Sequence, residues 1–311
     1  MKEAIALLIL LAAASSSFAQ TNLPASGLSA TLQAKAIATT FILDQADSYC
    51  SVSPISKDGY MLTALHCVRS CLEAAKFSET GSNQFVGLQE LFVSTHSKAV
   101  NTFCKDIGIP ALGVKGVTVV ETGSALSQFD EQFVSTFSTL YQELKSHGFD
   151  RRANDFAILK MNPPRPLVCW PLSSTTAPAG TGIWALGYPL PADIKKQKPV
   201  LLASAGHVYA SATESLAYAS TTALIAKTYL TALYSEGGVL YSNASNQFGQ
   251  SGGPVIAADG TVVGVTSGFT TTTLKDNTDV HELVASTSAS ILSAMTPALA
   301  ATLMQKSAAC R

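Results

Sequence analysis

Two Asp-Gly turns, each lying between two β-rich runs, constrain the fold of this chain more than any other feature of its sequence. Asp58-Gly59 lies between two extended runs near the start, and Asp259-Gly260 lies between two near the end. Asp-Gly in such a setting is a strong signal for an antiparallel hairpin. The strand-like runs are 36–43, 50–56, 60–65, 116–120, 155–160, 182–187, 199–209, 254–257 and 261–266. Many short strands separated by turns predict an all-β barrel or sandwich.

Helical patterning is confined to two stretches of the chain. Apolar residues recur at spacings of three and four over 129–146 and over the Ala-rich stretch 284–306. We therefore expect a helix in each stretch, with Pro297 breaking or kinking the second one. Prolines within 163–166 predict a stiff connector that joins two halves of the chain.

The chain begins with an apolar run that is typical of an export signal. Lys2 precedes the run 4–14, and the small residues Ser17 and Ala19 stand at positions −3 and −1 of a cleavage site. The run is shorter than the roughly 20 residues that span a bilayer. We expect residues 1–19 to be a signal peptide and the protein to be secreted, either outside the cell or into a periplasm. A retained anchor is the alternative interpretation, and no membrane span is expected in the mature chain.

The composition excludes two classes of function. The chain has 20 basic and 21 acidic residues, 13% charged residues and 47% hydrophobic residues. A disordered tail protein has a high net charge and few hydrophobic residues. A dedicated nucleic-acid binder has a basic excess that neutralises phosphates. We therefore expect no nucleic-acid partner, and no motif points to a cofactor.

The chain has six cysteines, an even number. They are Cys50, Cys67, Cys71, Cys104, Cys169 and Cys310. In an exported chain such a set favours three disulfides over a metal site. Cys67 and Cys71 lie close to His66, so a zinc cluster is the alternative. Because no further ligand has a recognisable spacing, we expect no metal.

Three short motifs carry the chemistry. His66 lies in TALHC at the end of the first hairpin, Asp155 lies in NDFAIL, and Ser251 lies in GQSGGPV. Each has an ordinary structural interpretation when taken alone: a structural histidine, a strand-start carboxylate and a tight turn. A serine hydroxyl, however, is a nucleophile only beside a base, and that base needs an orienting carboxylate. The three motifs together supply those three groups.

This order of residues and their flanking sequences resemble the trypsin/chymotrypsin family of serine peptidases. Besides the three motifs, the segments ISKDGYMLTALH, GIWALGYP, SAGHV and GGPVIAADGTVVGVTSG resemble its bacterial glutamyl-endopeptidase and HtrA-like branches. The resemblance runs in register over about 40–165 and 180–270 and is weak over roughly 70–150. It implies two six-stranded antiparallel β-barrels of chymotrypsin-like type, with a C-terminal helix.

The resemblance also implies how the chain is divided. An N-terminal segment and the first barrel, with an insertion at about 72–150, are expected over 20–165. The second barrel and the C-terminal helix are expected over 166–311.

The resemblance implies a secreted serine endopeptidase that acts on protein or peptide substrates. Ser251 would attack the peptide carbonyl, His66 would carry the proton and Asp155 would orient the imidazole. The N–H groups of Gly249 and Ser251 would form the oxyanion hole. Two alternatives remain: a catalytically idle homologue that serves as a binding module, and a serine hydrolase that does not act on peptides.

The motif around Ser251 also satisfies GxSxG, the nucleophile elbow of α/β-hydrolases. That fold places its acid and then its histidine after the serine. Asp276, Asp279 and His281 are crowded together, and no strand–helix alternation is visible. The elbow is therefore the weaker interpretation.

The substrate pocket implied by the resemblance is uncharged. Its residues would be Ser245 at the base and Thr266, Ser267 and Gly268 along one wall. A neutral serine does not attract a basic side chain, and Phe248 and Phe269 add apolar surface. We expect an uncharged or apolar P1 residue, the substrate residue before the scissile bond.

The residue before the nucleophile departs from the digestive members of the family. Those enzymes have an aspartate there, which pairs with a newly formed N-terminus. Gln250 cannot form that ion pair, so we expect no activation by N-terminal insertion. The sequence leaves open whether residues 20–40 are a propeptide.

The resemblance implies one disulfide directly, between Cys50 and Cys67, which would brace the hairpin that carries His66. The remaining cysteines allow three pairings. We favour Cys71 with Cys104, and Cys169 with Cys310.

Overall fold

The structure is a computed structural model, and it describes residues 27–45, 48–72, 98–123, 155–161, 166–191, 197–210, 214, 238–274, 276 and 278–310. The expected signal peptide (1–19), the expected helix at 129–146 and residues 163–165 of the expected proline connector lie outside the described residues. Among those described, no helix has the length and the apolar character needed to cross a bilayer.

Six antiparallel strands close into a first barrel. They are β1 (Phe41–Gln45), β2 (Ser48–Pro54), β3 (Tyr60–Thr63), β4 (Lys98–Ile109), β5 (Val114–Thr122) and β6 (Ala157–Met161), in the spatial order β1-β2-β3-β6-β5-β4. Strands β4 and β5 lie inside the stretch that was expected to be an insertion. They are integral to the barrel, because β4 pairs with β1 and β5 pairs with β6.

Six further strands form a second, nearly closed barrel. They are β7 (Gly182–Gly187), β8 (Leu202–His207), β9 (Val239–Ser245), β10 (Pro254–Ala257), β11 (Val262–Thr273) and β12 (Asp279–Thr287), in the spatial order β8-β7-β10-β11-β12-β9. An isolated bridge between Val208 and Ser242 brings the two outer strands together. The chymotrypsin-like fold expected from the resemblance is therefore confirmed.

Both predicted Asp-Gly hairpins are present. Asp58-Gly59 joins β2 to β3, and Asp259-Gly260 joins β10 to β11. Gly59 and Gly260 have φ angles of 89° and 78°, which residues with a side chain rarely adopt. The turn chemistry thus determined where each hairpin reverses.

Helices lie at both ends of the described chain. Helix α1 spans Ala30–Thr39, and the side chain of Ser29 caps it by accepting a hydrogen bond from the Leu32 N–H at 3.3 Å. The strand predicted at 36–43 is therefore wrong over its first half, and β1 begins only at Phe41.

The C-terminal helical stretch is divided in two. Helix α2 spans Ser288–Ala294 and helix α3 spans Pro297–Ala308. The predicted break is confirmed, since Pro297 is in the first turn of α3, where its missing N–H costs nothing. Residues 284–287 belong to β12 instead of the helix.

A shared hydrophobic core joins the two barrels to the helices. Leu62 and Phe156 come from the first barrel and Leu186 from the second. Trp170 comes from the segment that precedes β7, and Leu303 comes from α3. All of these side chains are buried. This core holds the facing sides of the two barrels together, and the motif residues lie on those sides.

The structure contains three disulfides. Cys50 pairs with Cys67, Cys71 with Cys104, and Cys169 with Cys310, which are the pairings expected above. Three disulfides favour an oxidising compartment over a reducing one.

Candidate active site

His66 and Asp155 are brought together by the pairing of two neighbouring strands. Thr63, the last residue of β3, pairs with Ala157, the first residue of β6. His66 follows β3 in a short 3₁₀ turn, and Asp155 lies two residues before the start of β6. Two residues far apart in sequence therefore meet at the same end of the first barrel.

The His66–Asp155 contact uses both carboxylate oxygens. Nδ1 of His66 lies 2.8 Å from Oδ2 of Asp155, and the main-chain N–H of His66 donates to Oδ1 at 3.1 Å. Asp155 is fully buried, whereas 26% of the His66 side chain is exposed. A buried carboxylate favours a proton on Nδ1, so the other ring nitrogen, Nε2, is left as the basic one.

A second contact ties Asp155 to the second barrel. Its main-chain N–H donates to the hydroxyl of Ser286 on β12 at 3.0 Å. The Ser286 hydroxyl also lies 3.0 Å from that of Ser267 on β11. Sequence reasoning did not identify Ser286, and no local signal marks a lone serine in a strand.

The glycines around Ser251 allow this loop to pack tightly between the barrels. Gly252 has a φ of 82°, and a Cβ there would overlap Thr63 Oγ1 and the Ser51 carbonyl oxygen. A Cβ on Gly253 would overlap the carbonyl oxygen of Leu186. The Gly-rich motif is therefore required by close main-chain approach on both sides.

Two main-chain N–H groups around Ser251 have no acceptor among the described residues. The Phe248 carbonyl accepts from Leu190 N–H at 2.6 Å, and the Gln250 carbonyl accepts from Gly253 N–H at 2.9 Å. In a planar trans peptide the N–H points away from the carbonyl. The N–H groups that follow these carbonyls belong to Gly249 and Ser251, and neither has an acceptor within the described part of the chain.

The main chain at Ser251 and Gly252 packs against the segment that leads to His66. The Ser251 carbonyl accepts from Ser51 N–H at 2.7 Å, and a Cβ on the following residue, Gly252, would lie 3.0 Å from Ala64 N. Within the described residues, the Ser251 hydroxyl has no hydrogen-bond partner. The structure thus brings His66 into contact with Asp155, and among the described residues it shows no hydrogen bond of the Ser251 hydroxyl.

Gln250 is buried and stabilises the loop from within. Its Oε1 accepts from the main-chain N–H of Gln247 at 2.8 Å. This contact lies inside the loop, so it does not depend on a charged N-terminus from elsewhere in the chain.

The residues of the expected pocket lie on β9 and β11 and beside them. Ser245 ends β9 and is exposed, whereas Asn246 is buried and its Nδ2 donates to the Gly268 carbonyl at 2.8 Å. A Cβ on Gly268 would meet nothing within 4 Å, so there is open space beside this strand. Thr266 is buried, and its main chain is hydrogen-bonded to Gly252 and Gly253, which follow Ser251.

The rim of this region is aromatic. Phe248 is 72% exposed, and its ring meets that of Phe269 edge-on at 5.0 Å between centroids. Phe269 in turn lies 4.5 Å from the ring of His281. These rings supply apolar surface close to Ser251.

One cluster of possible metal ligands exists among the described residues. Atoms of Cys50, His66 and Cys67 lie within 4.8 Å of one another. The two cysteines form a disulfide with each other, so neither offers the thiolate that binds metal. These residues do not fit a metal site.

Comparison with known proteins gives a family match. The family model for the trypsin-like peptidase domain matches residues 50–265, more than half of the chain. A search of curated proteins finds no match.

Several solved structures are similar to this chain. The active form of the protease Rv3671c from M. tuberculosis has a TM-score of 0.44 and 17% identity, with 90% of this chain and 89% of that chain covered. The MamO protease domain from Magnetospirillum magneticum has a TM-score of 0.39 and 18% identity, with 82% and 94% covered. A serine endoprotease from Yersinia pestis has a TM-score of 0.37 and 14% identity, with 88% and 65% covered.

Proposed function

Because this chain belongs to the trypsin-like peptidase family, we propose that it is a secreted serine endopeptidase that uses His66, Asp155 and Ser251 to hydrolyse peptide bonds. The observation that carries the proposal is the contact of His66 with the buried Asp155 at 2.8 Å. That contact favours a proton on Nδ1, which makes Nε2 of the partly exposed His66 the basic nitrogen.

The reaction has two stages. His66 Nε2 removes the hydroxyl proton of Ser251 as its Oγ attacks the scissile carbonyl carbon, and the carbonyl oxygen becomes an oxyanion. When the intermediate collapses, the C–N bond breaks and the imidazolium gives its proton to the leaving amine. Water then attacks the acyl-enzyme with the same base, which releases the acid and restores the serine.

The oxyanion is stabilised by the N–H groups of Gly249 and Ser251. Their lack of acceptors within the described residues supports this role, since donors committed elsewhere would have to break a bond first. Losing one such donor typically costs 10²- to 10³-fold in kcat.

The substrate preference proposed is an uncharged or apolar P1 residue. Ser245 carries no charge, open space lies beside Gly268, and the rings of Phe248 and Phe269 form an apolar rim. Digestion of a peptide library, followed by mass spectrometry of the products, tests this preference. A majority of cuts after Lys, Arg, Asp or Glu would contradict it.

The proposed site of action is outside the cytoplasm, after removal of residues 1–19. The three disulfides support this location, because they persist in oxidising compartments. N-terminal sequencing of the exported protein tests it, with Gln20 as the expected first residue.

The decisive experiment compares wild type with Ser251→Ala. We expect wild type to cleave peptides and to be labelled by a fluorophosphonate, which reacts with an activated serine. Ser251→Ala should lose labelling and about 10⁶-fold in kcat. Ser293→Ala, which changes an exposed serine of α2, is the matched control and should behave as wild type.

Each other outcome identifies an alternative. A wild type that is neither labelled nor active is an idle homologue that acts as a binding module. A wild type that is labelled and cleaves esters but no peptide is a hydrolase of another class. Full activity in Ser251→Ala contradicts the proposed nucleophile.

A further inference from the structure

Ser51 is a fully buried polar residue that the mechanism above does not use. It lies on β2, and its neighbours Cys50 and Val52 belong to the core of the first barrel. Side chains alternate along a strand, so the Ser51 side chain points out of that barrel and towards the second one. Gly187, the last residue of β7, gives it room, because a Cβ there would lie 3.0 Å from Ser51 Oγ.

The hydroxyl of Ser51 is held by two main-chain groups of the second half of the chain. It donates to the Gly249 carbonyl at 3.0 Å and accepts from the Tyr188 N–H at 2.9 Å. The main-chain N–H of Ser51 donates to the Ser251 carbonyl at 2.7 Å. One residue of the first barrel therefore binds the nucleophile loop on both sides of Gln250.

Gly249 is the residue whose orientation these contacts control. Its φ is 90°, and with no side chain it rotates more freely than any other residue type. The peptide plane before Gly249 contains the Phe248 carbonyl and the Gly249 N–H, and it is held by the hydrogen bond that Leu190 N–H donates to that carbonyl. The peptide plane after Gly249 contains the Gly249 carbonyl, and it is held by the hydrogen bond that the Ser51 hydroxyl donates to that carbonyl. With both planes fixed from outside the loop, the Gly249 N–H has one direction.

We propose that Ser51 is a positioning residue: its hydroxyl holds the carbonyl of Gly249 so that the N–H of Gly249 stays aimed at the oxyanion. The inference rests on the proposed function, because it needs an oxyanion to stabilise. The Ser51 hydroxyl touches neither substrate nor the reacting atoms, and its effect on the oxyanion is exerted through Gly249. Its effect therefore appears in the transition state more than in substrate binding.

The test compares Ser51→Ala with Ser53→Ala. Ser53 is a matched control, because it lies on the same strand, is equally buried, and its hydroxyl has no hydrogen-bond partner. We expect Ser51→Ala to lower kcat by about 10- to 100-fold, below the full loss of an oxyanion donor, with KM changed by less than about threefold. Ser53→Ala should match wild type, and Ser51→Thr, which keeps a hydroxyl, should recover most of the loss.

A second readout separates positioning from a purely structural role. A peptide boronic acid forms a tetrahedral adduct with the serine and places an oxygen in the oxyanion hole. Its affinity for Ser51→Ala should fall by the same factor as kcat, whereas affinity for the cleaved product should not. Melting temperatures and fluorophosphonate titration of the active fraction, measured for every variant, exclude loss of folded enzyme as the cause.

Equal kcat and equal boronate affinity in Ser51→Ala and Ser53→Ala would overturn the inference while leaving the proposed function intact. An inactive, unlabelled wild type would instead overturn the proposed function. If Ser51→Ala does not fold, Ser51→Cys keeps a side chain of similar size and replaces the hydroxyl with the weaker donor of a thiol. It should lower kcat relative to Ser53→Cys, and equal kcat in the two would contradict the inference.

Discussion

The proton on His66 Nδ1 is the detail at the residue scale on which the proposed chemistry depends. Asp155 is an acceptor at both oxygens, so it favours a proton on Nδ1, and Nε2 is then the base of the proposed mechanism. An asparagine in its place presents an NH₂ group to Nδ1 and favours the opposite tautomer.

We therefore expect Asp155→Asn to lower kcat by about 10⁴-fold while the fold is kept, because the two side chains have the same shape. Peptide hydrolysis and a melting curve measure the two effects. Asp44→Asn is the control, since Asp44 is exposed on β1 in the same barrel. A loss smaller than about tenfold would show that Asp155 does not orient the base.

Sequence patterns identify some residues of the site and not others. His66, Asp155 and Ser251 stand in distinctive local sequences, so they were predicted. Ser51 and Ser286 were missed, because a single serine in a strand has many ordinary explanations. Their contacts exist only once two barrels face each other, and no local pattern encodes that pairing.

At the scale of elements, the first Asp-Gly turn anchors the C-terminal helix. The Asp58 carboxylate accepts from Lys306 of α3 at 2.5 Å and from Lys160 of β6 at 3.2 Å, and the Ser56 hydroxyl adds a third contact at 2.7 Å. Partial burial alone would raise the pKa of Asp58, but these three hydrogen bonds outweigh it and hold that pKa well below its usual range.

This arrangement predicts a pH-dependent contribution to stability. A carboxyl whose pKa is lower in the folded state stabilises the protein above the unfolded-state pKa of about 4 and loses that effect as the pH falls. Asp58 is 41% exposed, so solvent screening limits the gain to about 1 kcal/mol. Asp58→Asn should lower the free energy of unfolding by about that amount at pH 7.

The difference between wild type and Asp58→Asn should begin to narrow below a pH of about 4, because the unfolded wild-type chain takes up a proton on Asp58 there. The folded carboxylate, whose pKa is lowered, stays ionised to lower pH. Urea denaturation at pH 7 and at pH 3 measures the difference. A difference that stays constant or grows at low pH would contradict the role given to the ionised carboxylate.

The limits of sequence prediction at this scale are illustrated by α1. The run 36–43 is rich in β-branched residues and was predicted as a strand, yet its first half is helical. Tertiary packing overrides the propensity, since Ala36 is fully buried against the shared core and Lys35 lies over the ring of Trp170 at 4.6 Å. The hairpins were predicted correctly because their turn residues act locally.

At the scale of the whole molecule, α1 is packed into the body of the protein. Leu28 and Ala36 are part of the shared core, and the Lys35 ammonium donates to the Cys310 carbonyl at 3.3 Å. Removing this helix would expose apolar surface of Trp170 and of its neighbours.

We expect a chain that begins at Phe41 to be less stable than one that begins at Gln20, the predicted mature start. Thermal unfolding of the two chains measures the difference, and hydrolysis of one peptide substrate reports activity. Equal melting temperatures together with higher activity in the shorter chain would identify residues 20–40 as a removable propeptide.

The strands and hairpins predicted an all-β barrel or sandwich, and the resemblance to the trypsin/chymotrypsin family implied two six-stranded barrels, whereas most of the residues that form β4 and β5 were not predictable. Strands β4 and β5 lie where the resemblance is weak, and their only local signal was the run 116–120. Barrel closure requires a partner for β1 and for β6, and that requirement is visible only when all six strands are assembled.

The disulfide between Cys169 and Cys310 spans 141 residues and encloses all six strands of the second barrel. A peptidase is exposed to cleavage by other copies of itself. Any single cleavage between these two cysteines leaves both fragments joined by the disulfide. A cleaved molecule therefore keeps His66 and Ser251 in one covalently linked protein. Self-digestion within that half of the chain thus becomes visible only after reduction of the disulfides.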